Sequence, residues 1–422
     1  MHYKAVKGFK DILPSQVETW NRVESEGKRI FGLFGYQEIR IPMLEKAELF
    51  ARGIGQDTDI VSKEMYTLTD RRGTQLAMRP EATASILRAY IENKLYDGSP
   101  VRKLFTMGPM FRYERPQKGR RRQFHQIDVE IIGDPGPRSD SELMFMIMHF
   151  FSSLGLVELI LHINSLGCAG CRGPFRAELK RYLQEHVEQL CPDCQMRMKT
   201  NPLRVFDCKV ERCIKVMKDA PTMLDFLCRK CTDHLDAVRS YLKELSVDFV
   251  MNSHLMRGLD YYTRTTFEVQ TRELGAQNAV AGGGRYDLLM KELGGPDSPA
   301  IGFAIGEERI VELLEEQGRV EADGPDVFLA PLGKEAEDKA FVWLQELRKA
   351  GVSCEMDYQP SGLKAQMKRG DRLRARKVLI VGEDELAKGR GILRDMFTKS
   401  QMEISLVNPV KEIIRLKEER WQ

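Results

Sequence analysis

The chain has 422 residues, too many for one ordinary hydrophobic core, so two or three domains are expected. Hydrophobic residues make up 42% and charged residues 30%, as in globular proteins, and a net charge of +3 excludes nucleic-acid binding driven by the charge of the whole molecule. No apolar run approaches the length that crosses a membrane, and the first residues lack the apolar centre of a signal peptide. We therefore expect a cytoplasmic protein.

The first predicted element is a long amphipathic helix. Ser15 and Glu18 have the spacing of a capping box, and apolar residues recur at helical spacing over residues 17–34. Residues 36–41 alternate like a strand. Pro42 ends that strand, because proline cannot donate to a sheet ladder, and this places the strand at an edge or an interface.

A short hairpin and a second helix follow. Residues 66–69 and 75–78 predict the two strands of the hairpin, and residues 79–96 predict the helix. Glu81 and Thr83 lie in the first turn of this helix. Helix capping alone would explain an acid and a hydroxyl there, so a functional role stays open at this point.

Residues 107–133 predict two antiparallel strands joined by a loop rich in arginine and lysine. Residues two apart share one face of a strand, so Gln126, Asp128 and Glu130 point one way and their apolar neighbours point into a core. A rigid polar face beside a cationic loop suits a site for a polyanion and a small polar substrate. A solvated hairpin that carries charge for solubility would show the same pattern.

The next segment contains a helix, a strand and an apparent insertion. Ser139 and Glu142 have capping-box spacing at the start of a Met- and Phe-rich helix, and residues 157–163 predict a strand. Strand signals then resume only at residues 247–251. The Cys-rich residues 167–234 between them therefore look inserted, with helical stretches of their own.

Eight of the nine cysteines fall in this insertion as four close pairs, three of them C-x-x-C. A cytoplasmic chain does not use them as a disulfide framework, whereas C-x-x-C supplies two zinc ligands from one turn. A small insertion with little core also gains folding free energy from a metal. We expect one or two structural zinc ions, with reduced, buried cysteines as the alternative. The candidate ligands are Cys168, Cys171, Cys191, Cys194, Cys208, Cys213, Cys228 and Cys231.

Three further motifs precede the end of this part of the chain. Arg257 and a following Asp-Tyr-Tyr run lie just ahead of an alternating strand, and three glycines at 282–284 permit close approach of the backbone. Residues 300–314 predict a strand that feeds a helix carrying Arg309. If Arg309 points into the sheet it needs an anion, whereas on an exposed helix face it needs none.

The remainder of the chain has a different organisation. Residues 318–325 are short, polar and contain Gly and Pro, as a linker does. From residue 326 onward, strands alternate with helices, which predicts a compact α/β module with a mostly parallel or mixed sheet. A basic helix over residues 362–375 suits contact with an RNA backbone, and a solvated helix face explains it equally well.

These motifs resemble those of the histidyl-tRNA synthetase family, one of the class II aminoacyl-tRNA synthetases, over essentially the whole chain. Residues 41–42 are similar to class II motif 1, which forms the dimer interface in the family, residues 111–124 to motif 2, and residues 302–309 to motif 3 with its terminal arginine. Residues 257–262 and 282–286 are similar to the histidine-specific signatures. The C-terminal module resembles the anticodon-binding domain of the family.

The resemblance implies an α+β fold and a domain order. The expected domains are a class II antiparallel-sheet catalytic domain over residues 1–318 with a helical insertion over about 167–238, a linker over 319–325, and an anticodon-binding α/β domain over 326–422. One departure from the family pattern is Ala82, where the family usually has glycine. The functional neighbours of Ala82 are retained.

The resemblance also implies an enzyme that attaches L-histidine to tRNA(His) through a histidyl-adenylate, with ATP and Mg²⁺, as a cytoplasmic homodimer. Its catalytic arginines correspond to Arg112 and Arg257. The positions that contact histidine correspond to Glu81, Thr83, Arg112, Gln126, Glu130, Arg257, Tyr261 and Tyr262. Those that bind ATP correspond to Arg112, Glu114, Phe124 and Arg309, and those that meet the tRNA acceptor end to Gln117 and Arg121. The resemblance gives no role to Asp128.

Two other functions fit these residues less well. The regulatory subunit of ATP phosphoribosyltransferase is synthetase-like without aminoacylation, but it typically lacks the C-terminal module and parts of the motifs. Here the module is present and Arg112, Arg257 and Arg309 are all retained. A class II synthetase for proline or threonine disagrees with the signature over residues 257–262.

Overall fold

The structure is a computed structural model that describes residues 3–55, 58, 60–116, 119–257, 261–271, 278–318, 324–359 and 361–420. The chain divides into two compact units, Met1–Val320 and Glu321–Gln422. No helix within the described ranges is both long enough and apolar enough to cross a membrane.

The first unit is built on a large, mainly antiparallel sheet. The strands of this unit are β1 (Gln37–Glu38), β2 (Leu44–Lys46), β3 (Thr67–Thr69), β4 (Gln75–Met78), β5 (Arg102–Phe111), β6 (Gln123–Ile132), β7 (Leu159–Ser165), β8 (Phe249–Met251), β9 (Thr263–Thr271), β10 (Ala279–Arg285) and β11 (Ala300–Gly306). Within the described residues, eight of them form one sheet in the order β1-β5-β6-β11-β10-β9-β7-β8, and β2-β4-β3 form a smaller sheet.

The helices of the first unit cover this sheet and build the insertion. They are α1 (Pro14–Leu33), α2 (Ala47–Ile54), α3 (Thr83–Glu92), α4 (Pro137–Ser153), α5 (Ala169–Glu185), α6 (Pro192–Thr200), α7 (Glu211–Lys218), α8 (Arg229–Glu244), α9 (Leu289–Glu292) and α10 (Glu307–Glu316). Side chains of α1, α4, α10 and the sheet share one core, in which Phe31 lies against Phe105 and Phe150. The opposite face of the sheet remains available for a functional site.

The predicted central hairpin is confirmed. β5 and β6 pair antiparallel, with Thr106 opposite Asp128 and Leu104 opposite Glu130. The apolar face of β6 lies in the core described above, with Ile127 fully buried there. The alternation of polar and apolar residues along β6 therefore predicted both faces of this strand correctly.

The helix starts and one strand differ from the prediction. α1 begins at Pro14 with Leu13 as N-cap and no side-chain cap bond, because proline suits the first helical position, so the capping box at Ser15 is wrong. α4 likewise begins at Pro137, and the hydroxyl of Ser139 donates to the Gly136 carbonyl instead of capping. The strand expected over residues 36–41 has only the two residues of β1, at the edge of the sheet.

The second unit is a mixed α/β module, as expected. Its strands and helices are β12 (Val327–Pro331), α11 (Lys334–Lys349), β13 (Cys354–Met356), α12 (Leu363–Arg372), β14 (Lys377–Val381), α13 (Glu383–Lys388), β15 (Arg390–Asp395), β16 (Gln401–Ser405) and α14 (Pro409–Arg420). The sheet order is β13-β12-β14-β15-β16; the first three strands are parallel and the last two pairings antiparallel. The sequence did not predict α13 or α14.

Candidate active site

A cavity of about 650 Å³ opens in the first unit between the large sheet, the start of α3 and the insertion. The predicted site residues that line it are Glu81, Thr83, Arg112, Glu114, Arg121, Phe124, Gln126, Arg257, Tyr261, Tyr262 and Arg309. Glu130 lies directly beneath, where it bonds to Thr83. Gln117 lies outside the described residues. The structure thus brings together residues separated by more than two hundred positions.

The floor of the cavity is organised around the buried carboxyl of Glu130. Thr83 Oγ1 donates to its Oε1 at 2.7 Å, and the hydroxyl of Tyr286 donates to its Oε2. Burial raises the pKa of Glu130 to about 8, although both hydrogen bonds act to lower it. Gly302 lies opposite Glu130 on β11, and a Cβ there would collide with the carboxyl.

Glu81 forms the second buried carboxyl of the floor. Its Oε1 accepts the N–H of Ala84 at 2.9 Å, and its Oε2 accepts the hydroxyl of Tyr261 at 3.3 Å. Burial raises its pKa as well. One oxygen therefore caps α3 while the other belongs to the cavity, so capping and a substrate role are compatible.

Arg257 also lines the cavity, held by three contacts. Its Nη1 donates to Glu268 Oε2 at 2.8 Å, and its guanidinium lies 5.8 Å from the ring centre of Tyr262. A Cβ on Gly282 would overlap the guanidinium, so this glycine is needed for the close approach. The glycine run of the sequence therefore serves side-chain packing in the site.

Two further arginines lie on the rim. Arg112 Nε donates to the Pro80 carbonyl at 2.8 Å, and its guanidinium lies 5.2 Å from the ring centre of Phe124. Arg309 donates to the Ala279 carbonyl. Burial and the nearby Arg120 lower the pKa of Arg309, while the carboxylates of Glu268, Glu312 and Glu114 raise it.

The cationic loop between β5 and β6 is engaged in ion pairs. Arg120 pairs with Glu114 at 3.2 Å, and Arg121 lies 3.5 Å from Glu312 and 3.9 Å from Glu308 on α10. The arginines remain partly exposed, so each pair is weaker than a fully buried one would be.

The family model described as histidyl-tRNA synthetase matches residues 8–310 of the chain. The chain belongs to the histidyl-tRNA synthetase family. A second model, described as an anticodon binding domain, matches residues 326–416, which contain the strands and most of the helices of the second unit.

Individual members of the histidyl-tRNA synthetase family agree with this assignment. The histidine–tRNA ligase of Syntrophotalea carbinolica is 53% identical over 406 residues, 96% of this chain and 97% of that protein. The crystal structure of apo histidyl-tRNA synthetase from S. aureus has a TM-score of 0.81 and 34% identity, covering 98% of this chain and 100% of that one. A structure from Bacillus halodurans, described as an ATP phosphoribosyltransferase regulatory subunit/histidyl-tRNA synthetase, has a TM-score of 0.67, 21% identity, and coverage of 90% and 99%, and supports the fold alone.

Several residues of this histidyl-tRNA synthetase site were missed from the sequence. Glu268 and Tyr286 line the cavity, and the alternation of β9 and the Gly-Gly-Gly-Arg-Tyr run were the signals that could have found them. The insertion also reaches the cavity, and nothing local in the sequence indicated this. Its lining residues are Arg197, Arg204, Asp207 and Lys209.

Arg285, from the second histidine-specific signature, does not line the cavity. Its side chain is completely buried and bonds to Asp140 at 2.8 Å and to the Asp134 carbonyl at 2.9 Å. His234 of α8 bonds to the other oxygen of Asp140 at 2.8 Å. Arg285 is therefore an anchor between β10, α4 and the insertion.

The eight predicted cysteine ligands fall into two groups of four. The first group is Cys168, Cys171, Cys228 and Cys231, and the second is Cys191, Cys194, Cys208 and Cys213. Within each group all four sulfur atoms lie within 4.8 Å of one another. Such a donor set suits zinc.

Proposed function

We propose that this chain is a histidine–tRNA ligase, which uses ATP to attach L-histidine to tRNA(His) by way of a histidyl-adenylate. The observation that carries the proposal is the single cavity in which buried carboxyls, aromatic rings and arginines converge. Such a cavity can hold a small cationic amino acid beside a polyphosphate.

Histidine would bind at the floor. We assign the imidazole to Glu130 and Tyr262, and the ammonium and carboxylate to Glu81, Thr83 and Gln126. Hydrogen bonds to charged groups contribute about 1.5–3 kcal/mol each. A side chain of similar size without ring nitrogens would lose the contact with Glu130, which provides the discrimination. Tyr261 closes the same pocket.

ATP would bind at the rim. We assign the α-phosphate to Arg112, the outer phosphates to Arg309, and one face of the adenine to Phe124. Class II synthetases use Mg²⁺ with ATP, and the Glu114 carboxylate at the cavity edge is the hard oxygen ligand that Mg²⁺ prefers beside substrate phosphates. The ion would neutralise phosphate charge when bound.

The first reaction is attack of the histidine carboxylate on the α-phosphorus, with pyrophosphate as leaving group. Negative charge builds on the α-phosphate oxygens, so positioning and electrostatic stabilisation dominate. Arg257 and Arg112 would supply that stabilisation from two sides. The contact of Arg257 with Glu268 fixes its guanidinium before the substrates arrive.

In the second reaction the 3′-terminal ribose hydroxyl of tRNA attacks the adenylate carbonyl and releases AMP. We assign the acceptor end to the cationic loop, with Gln117 and Arg121, and the anticodon to the second unit. We also infer a homodimer and a cytoplasmic location, in keeping with this role in translation.

We further infer that the insertion binds zinc as a structural metal, because its thiols lie in two four-membered groups. The purified protein should then contain zinc and resist alkylation at these cysteines. Protein that is fully active, metal-free and freely alkylated would contradict this inference.

Histidine-dependent exchange of radiolabelled pyrophosphate into ATP tests the proposed function. Exchange should require histidine and be followed by charging of tRNA(His). Absence of exchange in well-folded protein would contradict the proposal and favour the non-catalytic regulatory subunit.

A further inference from the structure

The two thiol groups are nested along the chain. The outer group joins the first C-x-x-C of the insertion to the last, at the starts of α5 and α8. The inner group joins the two middle pairs, around α6 and α7. We call them the neck group (Cys168, Cys171, Cys228, Cys231) and the tip group (Cys191, Cys194, Cys208, Cys213).

The sulfur–sulfur distances match those around a single zinc ion. Four sulfurs at about 2.3 Å from one zinc lie about 3.8 Å apart at tetrahedral angles. Cys168 lies 3.6 Å from Cys171 and 3.9 Å from Cys228, and Cys191 lies 3.8 Å from Cys208. A disulfide would bring two sulfurs to about 2.05 Å, so these thiols are reduced.

Backbone donors also point at the sulfurs across each group. The N–H of Cys228 donates to Cys171 Sγ at 3.1 Å, and the N–H of Cys191 donates to Cys213 Sγ at 3.2 Å. N–H donors of this kind stabilise thiolates. Both bonds connect different pairs of one group, so the backbone itself is arranged for the nested pairing.

We propose that each chain binds two zinc ions, one in the neck group and one in the tip group, with different structural roles. This proposal rests on the zinc binding inferred above. It adds the number of ions, the cysteines that share each ion, and the structural role of each ion. The neck zinc ties α5 to α8, and Leu166 and Gly167 just before it exchange backbone hydrogen bonds with Arg264 at 2.7 and 2.9 Å. The tip zinc holds α6 and α7, whose segment carries Arg197 and Lys209 to the cavity.

The two ions should leave at different rates. Cys228 of the neck group is exposed and Cys168 is half-buried, whereas all four tip cysteines are buried. A chelator or an oxidant therefore reaches the neck zinc first. The neck can open while the tip keeps its fold.

Stepwise chelation with alkylation and peptide mapping tests the pairing in the unaltered chain. Purified protein should contain two zinc ions, and on exposure to EDTA the neck cysteines should become reactive together, before the tip cysteines. Release of the tip set first would overturn the proposed order of release, and release of thiols in sequence-adjacent sets would overturn the nested sites; either result would leave zinc binding intact. Protein without zinc would overturn both.

Paired variants give a second measure of the nesting. Replacement of the four neck cysteines by serine should leave one zinc per chain. A matched variant that loses the same number of thiols, Cys168→Ser, Cys171→Ser, Cys191→Ser and Cys194→Ser, should leave none. Cys354→Ser, outside the insertion, should keep two. The reverse pattern in the first two variants would mean that neighbouring pairs share a metal. Pyrophosphate exchange is measured separately, so loss of zinc and failure of the proposed function are told apart.

An independent observation concerns Asp128, to which the family resemblance gives no role. Asp128 lies on β6 between Gln126 and Glu130, on the face that meets the cavity, and it is only 1% exposed. Within the described part of the chain its Oδ2 has no hydrogen-bond partner. A buried carboxyl oxygen without a partner is costly and indicates a donor supplied by a ligand.

The charges around Asp128 define the chemistry of that donor. Burial raises the pKa of Asp128 well above its usual range, and the carboxyls of Glu130 and Glu81 raise it further, against the guanidinium groups of Arg79 and Arg112, which lower it. A cation bound among the three would relieve this repulsion. Histidine brings such a cation in its ammonium group, and we infer that Asp128 is an additional acceptor for the substrate ammonium.

Asp128→Asn tests this inference, which rests on the proposed histidine binding. The KM for histidine should rise about tenfold, with kcat and the KM for ATP within about twofold of the original. Thr106→Val, at the buried position opposite Asp128 on β5, is the control and should change none of these values. An unchanged histidine KM, or a fall in kcat alone, would overturn the assignment.

Two analogues identify the group that Asp128 contacts. Histidinol keeps the ammonium group, and imidazolylpropionate lacks it. Asp128→Asn should weaken inhibition by histidinol and leave inhibition by imidazolylpropionate unchanged. Equal weakening of inhibition by both analogues, which share the imidazole ring, would place Asp128 against the ring and overturn the assignment. A wild-type chain without histidine-dependent exchange would instead mean that the proposed function itself has failed.

Discussion

On the floor of the cavity, the buried carboxyls of Glu81 and Glu130 bond to hydroxyl and backbone groups that cannot move away. On its rim, arginines of the cationic loop form ion pairs in which the arginine is partly exposed, such as Arg120 with Glu114. The floor is thus held by buried hydrogen bonds, whereas the rim holds its cations in partly exposed ion pairs. This difference fits a small substrate that must be recognised and polyphosphate substrates that must be bound and released.

The largest effect is expected at Arg257, which lines the same cavity. Arg257→Ala should reduce pyrophosphate exchange by about a thousandfold, because the transition-state charge loses a fixed partner. The melting temperature should stay close to that of the original chain. Arg239→Ala, which removes an exposed pair with Asp236 on α8, is the control and should retain full exchange. Near-normal exchange in Arg257→Ala would remove its assigned role.

Glu130→Gln should give the next largest effect, confined to the floor. The histidine KM should rise about a hundredfold, since a buried carboxyl that can ionise opposite the imidazole is replaced by an amide that cannot. The KM for ATP should change little. If both constants rose together, floor and rim would not be separate regions.

Arg121→Ala should affect the rim and spare the floor. Charging of tRNA should fall about tenfold as a phosphate contact is lost, while pyrophosphate exchange stays within about twofold. The two assays are run on the same preparation at the same ionic strength. Equal losses in both would argue that Arg121 serves ATP and not tRNA.

The smallest effect should be on stability. Because the pKa of Glu130 is raised from 4.5 to about 8 in the folded chain, the unfolded chain loses this proton first as pH rises. Stability is therefore lost between these two values, by up to a few kcal/mol. Glu130→Gln should melt at a higher temperature relative to the original chain at pH 8 than at pH 5.5. A difference that does not vary with pH would show that Glu130 titrates normally.

Local patterns in the sequence predicted the parts of the fold that local physics decides. Alternation over β5 and β6 gave both the hairpin and its polar face, and the strand and helix alternation after residue 326 gave the mixed module. The capping boxes at Ser15 and Ser139 failed because a nearby proline fixed the helix start first. Where two local signals disagree, the residue with the most restricted backbone, here proline, determines where the helix begins.

Long-range proximity could not be predicted in the same way. The cysteine spacing supplied eight candidate ligands but not their partners, because nesting is decided by how α5 and α8 meet in space. Glu268 and Tyr286 belong to the site only because β9 and β10 lie beside β11. The residues that the family resemblance named lie in or directly beneath one cavity where the structure describes them.

The hydrogen bond between His234 and Asp140 connects the insertion to the rest of the first unit. Asp140 is held from the other side by Arg285, so a residue of the insertion completes a buried triad of the main body. A graft that exchanges the insertion for that of another protein, or deletes it, would remove the partner of one oxygen of this buried carboxylate unless α8 is kept. The insertion is therefore a poor exchangeable module, and engineered boundaries belong before α8, not after it.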